Sequence, residues 1–275
     1  MNTILQPPSL ETLSPRQSDI IEAARESGRV TVDDLAVRFD VTPQTIRKDL
    51  NELCDVHIMQ RVHGGAVLTT RITNLGYESR RSIAAEEKRK IGFKAASLIP
   101  NDCSLLINIG TTTEQVAHAL SARKNLVVIT NNINVVNILA GNPQIEVIVA
   151  GGTVRPSDGG VVGETASDFI RQFKVDYAII GASAIDPDGS LLDYDHREVK
   201  VAQAIIENAR NSILVADSMK YERSAPVRIG HISQLDSFVI DKMPPAELQQ
   251  ICAENEVVIE IAGSPDENNP ENKNS

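Results

Sequence analysis

The sequence predicts an α/β protein in two parts, a winged helix-turn-helix followed by a larger α/β domain, and three observations carry that prediction. Over the first 68 residues helical periodicity returns three times, and an alternating stretch around a double glycine, HIMQRVHGGAVLTT, follows it. From Glu86 onward short apolar runs alternate with helical segments, as in a parallel or mixed sheet covered by helices. The length of 275 residues is ample for two domains of ordinary size.

Residues 1–13 carry two prolines and no clear period, and they read as a loose arm. Ser14-Pro15 opens a helix with proline at its first position, Ile20, Ile21 and Ala24 form its apolar face, and Gly28 stops it. Thr31 caps a second helix that turns Leu35, Ala36 and Phe39 inward. Thr42-Pro43 opens the third, VTPQTIRKDLNEL, in which Ile46, Leu50 and Leu53 recur at i, i+4 and i+7. That spacing buries one stripe and leaves Gln44, Thr45, Arg47, Lys48 and Asn51 pointing elsewhere. A hairpin turning at Gly64-Gly65 completes a winged helix-turn-helix over residues 14–68. Residues 69–85 have no clear period and read as a linker.

The larger domain spans 86–262 and opens with EEKRKIGFKAASLI, a helix with Ile91, Ala95 and Leu98 on its apolar face. SLLINI, LVVIT, IEVIVA, DYAII, SILVA and DSFVI are its strands, and EVVIEIA adds one at an edge. The remainder, 263–275, is polar and has little to bury, so it reads as a disordered tail.

Composition narrows the function. Hydrophobic residues make up 41% of the chain, aromatics only 3%, and there is no Trp, so the core is aliphatic, as suits strands buried on both faces. The N-terminus lacks a signal peptide's basic start and apolar run, and no stretch is long and apolar enough to span a membrane. A cytoplasmic protein without a membrane partner is expected. Cys54, Cys103 and Cys252 are far apart without metal-ligand spacing, which points to free thiols, no metal and no cofactor. A net charge of -10 argues against coating nucleic acid by charge alone. Even the segment from Arg16 to Arg61 holds seven Lys/Arg against nine Asp/Glu, so any DNA contact needs its cations gathered on one face.

The candidate DNA-contacting residues are therefore local. On the third helix Gln44, Thr45 and Arg47 carry donors in the turns that would enter a major groove, with Lys48 and Asn51 beside them and Arg61 and His63 on the hairpin. The bland reading is a solvated helix face. Lysine lacks the planar fork of arginine, so Lys48 suits a phosphate better than a base.

In the larger domain INIGTTTEQVAHAL brings a strand into a helix through Gly110, with Thr111, Thr112 and Thr113 at the helix start. Backbone N–H groups and hydroxyls converge there, which suits a phosphate, although one threonine merely capping the helix explains the pattern as well. Other strands end at Asn131, at Gly151 and Gly152, and at Gly181, and strand ends of a parallel sheet share one edge. Arg155 and Lys220 are candidate phosphate partners, while Asp195 and Glu198 are candidate acceptors for sugar hydroxyls. No G-x-S-x-G elbow is present and no base accompanies the serines, so nucleophilic catalysis is not expected.

The motifs VTPQTIRKDLNEL and RVHGGA, followed in order by EEKRKIG, INIGTTTEQVAHAL, TNNINV, AGGTVRPSDGGVVGE, DYAIIGASAID and ADSMK, resemble the DeoR family of bacterial transcriptional regulators over residues 14–262. The resemblance implies a repressor whose third helix reads double-stranded operator DNA. It also implies a sensor similar in fold to ribose-5-phosphate isomerase and glucosamine-6-phosphate deaminase, with phosphate held by Gly110 and Thr111 to Thr113 and contacted by Lys220. The effector implied is a phosphorylated sugar or polyol, and IGTTTEQVAHAL, TNNINVVN and DGSLLDYDHREV favour glycerol 3-phosphate. A homodimer or homotetramer is expected, since one short helix reads few base pairs and paired half-sites add affinity. The alternative is an isomerase- or deaminase-like enzyme with a fused accessory domain.

Overall fold

The computed structural model describes residues 13–27, 30–55, 58–62, 64–68 and 77–263. The expected arm up to residue 12, the expected tail from residue 264 and His63 lie outside the described residues. The chain divides into two compact units, Met1–Ile83 and Ala84–Ser275.

In the first unit the order is α1 (Pro15–Ser27), β1 (Val30–Thr31), α2 (Val32–Arg38), α3 (Pro43–Asp55), β2 (Met59–Val62), β3 (Gly65–Leu68) and α4 (Tyr77–Ser82). Thr31 caps α2 from an extended backbone, its hydroxyl accepting the Asp34 N–H at 3.1 Å. The Thr42 hydroxyl does the same for the Thr45 N–H at 3.2 Å, ahead of α3. Ile46, Leu50 and Leu53 are fully buried, as their spacing requires, and pack with Ile20, Ala24, Leu35 and Ala66. The wing is a sheet of order β1-β3-β2, because Val30 and Thr31 pair with Ala66 and Gly65. Two residues are too few to display a period, so β1 left no trace in the sequence pattern. Gly65 makes the approach possible, since a Cβ there would lie 2.0 Å from the Val30 carbonyl oxygen. The segment expected as a linker is helical over α4, and Ile83 packs against this unit's core.

The second unit runs α5 (Ala85–Ser97), β4 (Ser104–Ile107), α6 (Thr111–Leu120), β5 (Leu126–Thr130), α7 (Ile133–Leu139), β6 (Ile145–Val149), β7 (Thr153–Arg155), β8 (Gly160–Val162), α8 (Glu164–Ile170) and β9 (Val175–Ile180). It continues with β10 (Ala184–Ile185), β11 (Ser190–Asp193), α9 (His196–Glu207), β12 (Ala209–Val215), β13 (Val227–His231), β14 (Ser237–Ile240), α10 (Ala246–Glu254) and β15 (Val258–Ile261). Its main sheet has the order β15-β14-β12-β9-β4-β5-β6 with every pair parallel. These are the seven apolar runs of the sequence. Successive side chains alternate between faces: Leu105, Ile107, Val128, Ile179 and Val215 join Ile91, Val116 and Leu139 in one core, whereas Leu106, Ile129, Ala178, Ile180 and Leu214 join Ala166, Val199 and Leu248 in another. Thus α5, α6 and α7 cover one face and α8, α9 and α10 the other. Two smaller sheets, β7-β8 and β10-β11-β13, branch from the main one.

The chain runs from β4 outward through β5 to β6, then returns to β9 on the other side of β4 and proceeds outward again. The strand order therefore reverses between β4 and β9, where an open parallel sheet leaves a crevice beyond its carboxyl ends. On the face carrying α5 and α6, Gly92 lets the two helices come close. A Cβ there would lie 2.6 Å from the Gln115 carbonyl carbon and oxygen. Gly92→Ala is expected to destabilise the protein by about 1–3 kcal/mol through overpacking, read as a lower denaturation midpoint at unchanged slope.

Candidate functional site

The first unit presents α3. Two of its three acids are turned to partners: Asp49 is buried and takes Arg16 at 2.6 Å, and Glu52 accepts from the Gln17 amide at 2.7 Å with Lys48 3.9 Å away, whereas Asp55 at the last turn is exposed. Gln44, Arg47 and Lys48 are exposed, and Thr45 is half-buried with its hydroxyl 2.9 Å from that of Thr42. Arg47 makes no ion pair among the described residues, which leaves its fork available. Asn51 and Arg61 depart from the expected arrangement, because Arg61 donates to the Asn51 side-chain oxygen and, at 3.3 Å, to the Arg47 carbonyl. This contact joins wing to helix and occupies Asn51. Pairing of Asp49 and Glu52 leaves Arg47 as a cation without a carboxylate beside it on this face.

In the second unit the crevice is built from strand ends. Gly110 follows β4 at φ +154, a conformation that favours glycine, and a Cβ there would lie 3.3 Å from the Thr113 hydroxyl. Beyond β9, a Cβ on Gly181 would lie 3.7 Å from the Thr113 side chain and 3.9 Å from the Ile109 and Val215 carbonyls, so the ends of β4, β9 and β12 are drawn together here. Thr111 and Thr112 are buried at the start of α6. The Thr113 hydroxyl donates at 2.8 Å to the carbonyls of Asn108 and Gly110 and braces the loop from within. Asn131, at the end of β5, is fully buried with its amide donating to the Val161 carbonyl at 3.1 Å. Gly151 and Gly152 stand apart, exposed after the edge strand β6 and two strands from β4, about 10 Å by ordinary strand spacing.

Arg155 is engaged by carboxylates. At the end of β7 it donates to Asp158 at 2.6 and 2.8 Å, to Asp195 at 3.0 Å and to Glu198. Offering its fork to a phosphate would break one of these charged hydrogen bonds, each worth about 1.5–3 kcal/mol, so it serves to hold the β7-β8 hairpin to the start of α9. Asp195 caps α9 by accepting the Arg197 N–H at 3.0 Å and also takes the Arg197 guanidinium, which holds its carboxyl well below the usual range. Burial pushes the Glu198 carboxyl up to about 8, Asp193 and Asp158 adding to the shift and Arg155 opposing it.

Lys220 lies buried in a short 3-10 helix, Ser218–Glu222, immediately beyond Asp217 at the end of β12. Two partners escaped the sequence reading. Asp217 is buried, and although burial opposes its ionisation, Lys220, Lys88 and Arg223 together hold its carboxyl below the ordinary range. Lys88, on α5, is 3% exposed. Its signal was present, because it precedes Ile91 by three positions and Ala95 by seven and so belongs to the apolar face, but the run EEKRK reads as a solvated surface. Asn108, the polar residue inside INIG, is likewise buried at the end of β4. The crevice therefore combines two lysines, a carboxylate, backbone N–H groups at a helix start and buried amides. Such a set is chemically suited to a small anion that carries hydrogen-bonding groups.

Residues 83–242 match the family model described as the DeoR C terminal sensor domain, and residues 16–71 match the DeoR-like helix-turn-helix domain. The chain is 44% identical to the glycerol-3-phosphate regulon repressor of Escherichia coli (strain K12), over 90% of this chain and 98% of that protein. It is 37% identical to the HTH-type transcriptional repressor CsqR of the same organism, over 90% of this chain and 95% of the relative. Among solved structures, ribose 5 phosphate isomerase A from Neisseria gonorrhoeae aligns with 52% of this chain and 55% of its own, at 15% identity and a TM-score of 0.37. Among the described residues no helix is long and apolar enough to cross a membrane, and no group of side chains is suited to hold a metal ion.

The raised carboxyl of Glu198 makes a prediction about pH. The folded chain holds this proton more tightly than the unfolded one, so its contribution to stability is full below the ordinary carboxylate range and is lost as pH rises through about 8. Glu198→Gln keeps an acceptor for Arg155 but cannot ionise. Its melting temperature is expected to rise relative to the parent between pH 5 and pH 8, in thermal melts of the two proteins across that range.

Proposed function

Since this chain belongs to the DeoR family of transcriptional regulators, matching it in both units, we propose that it represses a glycerol-3-phosphate regulon and leaves its operator when glycerol 3-phosphate fills the crevice beyond β4, β9 and β12. The observation that carries this reading is one chain holding both an α3 with an exposed Arg47 and Lys48 and a crevice with Lys88, Lys220 and the start of α6. The relative named for such a regulon supports the choice of effector. In this reading residues 14–68 form the DNA-binding part and 86–262 the sensor. Gln44, Thr45 and Arg47 meet base edges, Lys48 meets phosphate, and Arg61 sets the wing against α3. The phosphoryl group sits against the backbone of Gly110 to Thr113 with Lys220 and Lys88, and two copies of the chain span paired half-sites.

Coupling of about 1–3 kcal/mol between the sites lowers operator affinity roughly 5–150-fold. A gel-shift titration with operator DNA is expected to display that loss as glycerol 3-phosphate is added at millimolar concentration. Unchanged binding across the series would sink the effector assignment. The same reading expects no turnover of ribose 5-phosphate, which a coupled assay would detect.

The two cations of α3 separate by kind of contact. Arg47→Ala is expected to cost about 1–3 kcal/mol on the operator and to relax preference at one base position, whereas Lys48→Ala weakens all sequences alike and lowers the salt slope by about one. Operator and scrambled duplexes compared over a salt series distinguish the two outcomes.

A further inference from the structure

Among the described residues of the second unit, four buried side-chain oxygens have no hydrogen-bond partner in the protein: Asn108 Oδ1, Asn131 Oδ1, Asp217 Oδ1 and the Tyr221 hydroxyl. Three of them sit just beyond the carboxyl ends of β4, β5 and β12, and Tyr221 follows Asp217 by four residues on the adjoining 3-10 helix. Asn108, Asn131 and Asp217 are no more than 2% exposed. Buried polar groups are completed in nearly all folded proteins, so their recurrence along one sheet edge, from β5 across β4 to β12, calls for a common explanation.

Two of the three are fixed as acceptors by their surroundings. The Asn131 amide nitrogen is committed to the Val161 carbonyl at 3.1 Å, which fixes the free atom as an oxygen acceptor. A carboxylate accepts only, and Asp217 is held in that form by Lys220 and Lys88 against the effect of burial. Asn108 is anchored through its own backbone carbonyl, which takes the Thr113 hydroxyl at 2.8 Å. The lysines and helix start offer donors to an anion. These oxygens need donors from whatever accompanies it.

We infer that Asn108, Asn131 and Asp217 read the hydroxyl groups of the effector as hydrogen-bond donors, so that the crevice accepts a phosphorylated polyol and rejects the matching ester in which a hydroxyl has become a carbonyl. This rests on the reading of the crevice as a polyol phosphate site and sharpens it from a class to a distinction between oxidation states. A carbonyl oxygen brought against these acceptors forms no bond with them and leaves them buried and incomplete, and sites built to bond a hydroxyl discriminate strongly against analogues that lack it. The consequence is a sensor that responds to the reduced ester while ignoring its oxidised partner.

Isothermal titration of the full-length protein with glycerol 3-phosphate, dihydroxyacetone phosphate and inorganic phosphate tests it. Dihydroxyacetone phosphate is expected to bind on the order of 10- to 100-fold more weakly than glycerol 3-phosphate. Equal affinity for the two esters overturns the inference and leaves the effector assignment standing. If neither ester binds better than inorganic phosphate, the polyol phosphate reading itself fails. Asp217→Asn, with its melting curve recorded alongside, supplies a donor where the carboxylate had none and is expected to narrow the gap between the esters. A folded Asp217→Asn protein with the gap intact removes Asp217 from the reading set. The comparison on the parent protein decides the matter where the variant does not fold.

Discussion

Every pairing in the seven-stranded sheet is parallel, and the rest of the second unit depends on that constraint. Parallel strands place all their carboxyl ends along one edge, about 4.8 Å apart. Residues separated by more than a hundred positions in the chain, Asn108 and Asp217 among them, thereby come to the same edge, with only β9 between their strands. Reversal of the strand order between β4 and β9 then opens the edge at one place, and Gly110 and Gly181 stand on its two sides. Five of the six crossovers that parallel strands demand carry α6, α7, α8, α9 and α10, which cover both faces, and the sixth, from β12 to β14, runs through the 3-10 helix Ser218–Glu222 and β13.

Electrostatics divides the labour inside an acidic chain. On α3 two carboxylates are withdrawn, Asp49 to Arg16 and Glu52 to Gln17 and Lys48, while Arg47 faces outward. Net charge therefore says little about this surface. In the second unit the same principle acts in reverse: Arg155, one of the two cations the sequence offers for phosphate, is consumed by Asp158, Asp195 and Glu198. The buried lysines Lys88 and Lys220 act instead on Asp217. A cation's role follows from which carboxylates share its surroundings, and a linear pattern does not reveal those.

Much of the fold was legible because the relevant physics is local. Helix periods located α1, α2 and α3, hydroxyl caps marked the starts of α2 and α3, and aliphatic runs identified all seven strands of the main sheet. What escaped was short or context-dependent. β1 has two residues, and α4 lies in a stretch whose polar composition hides its helix. At the site, Gly110 and the start of α6 were visible as a strand-to-helix turn, but the surroundings of Thr113 and Lys88 were not. The Thr113 hydroxyl turns back to carbonyls of its own loop, and Lys88 turns inward from a segment that looks like surface.

The sequence alone determined the two-part architecture, the buried seam of Ile46, Leu50 and Leu53, and the glycine and threonine turn after β4, since each follows from periods and conformational preferences within a few residues. Tertiary structure alone decided which charges remain available and which polar atoms meet at the crevice. Arg155 and Asp195, Arg16 and Asp49, and Asn108, Asn131 and Asp217 are joined by strand order and helix packing. Those depend on how distant segments share one core, and no local pattern encodes the free energy of that arrangement.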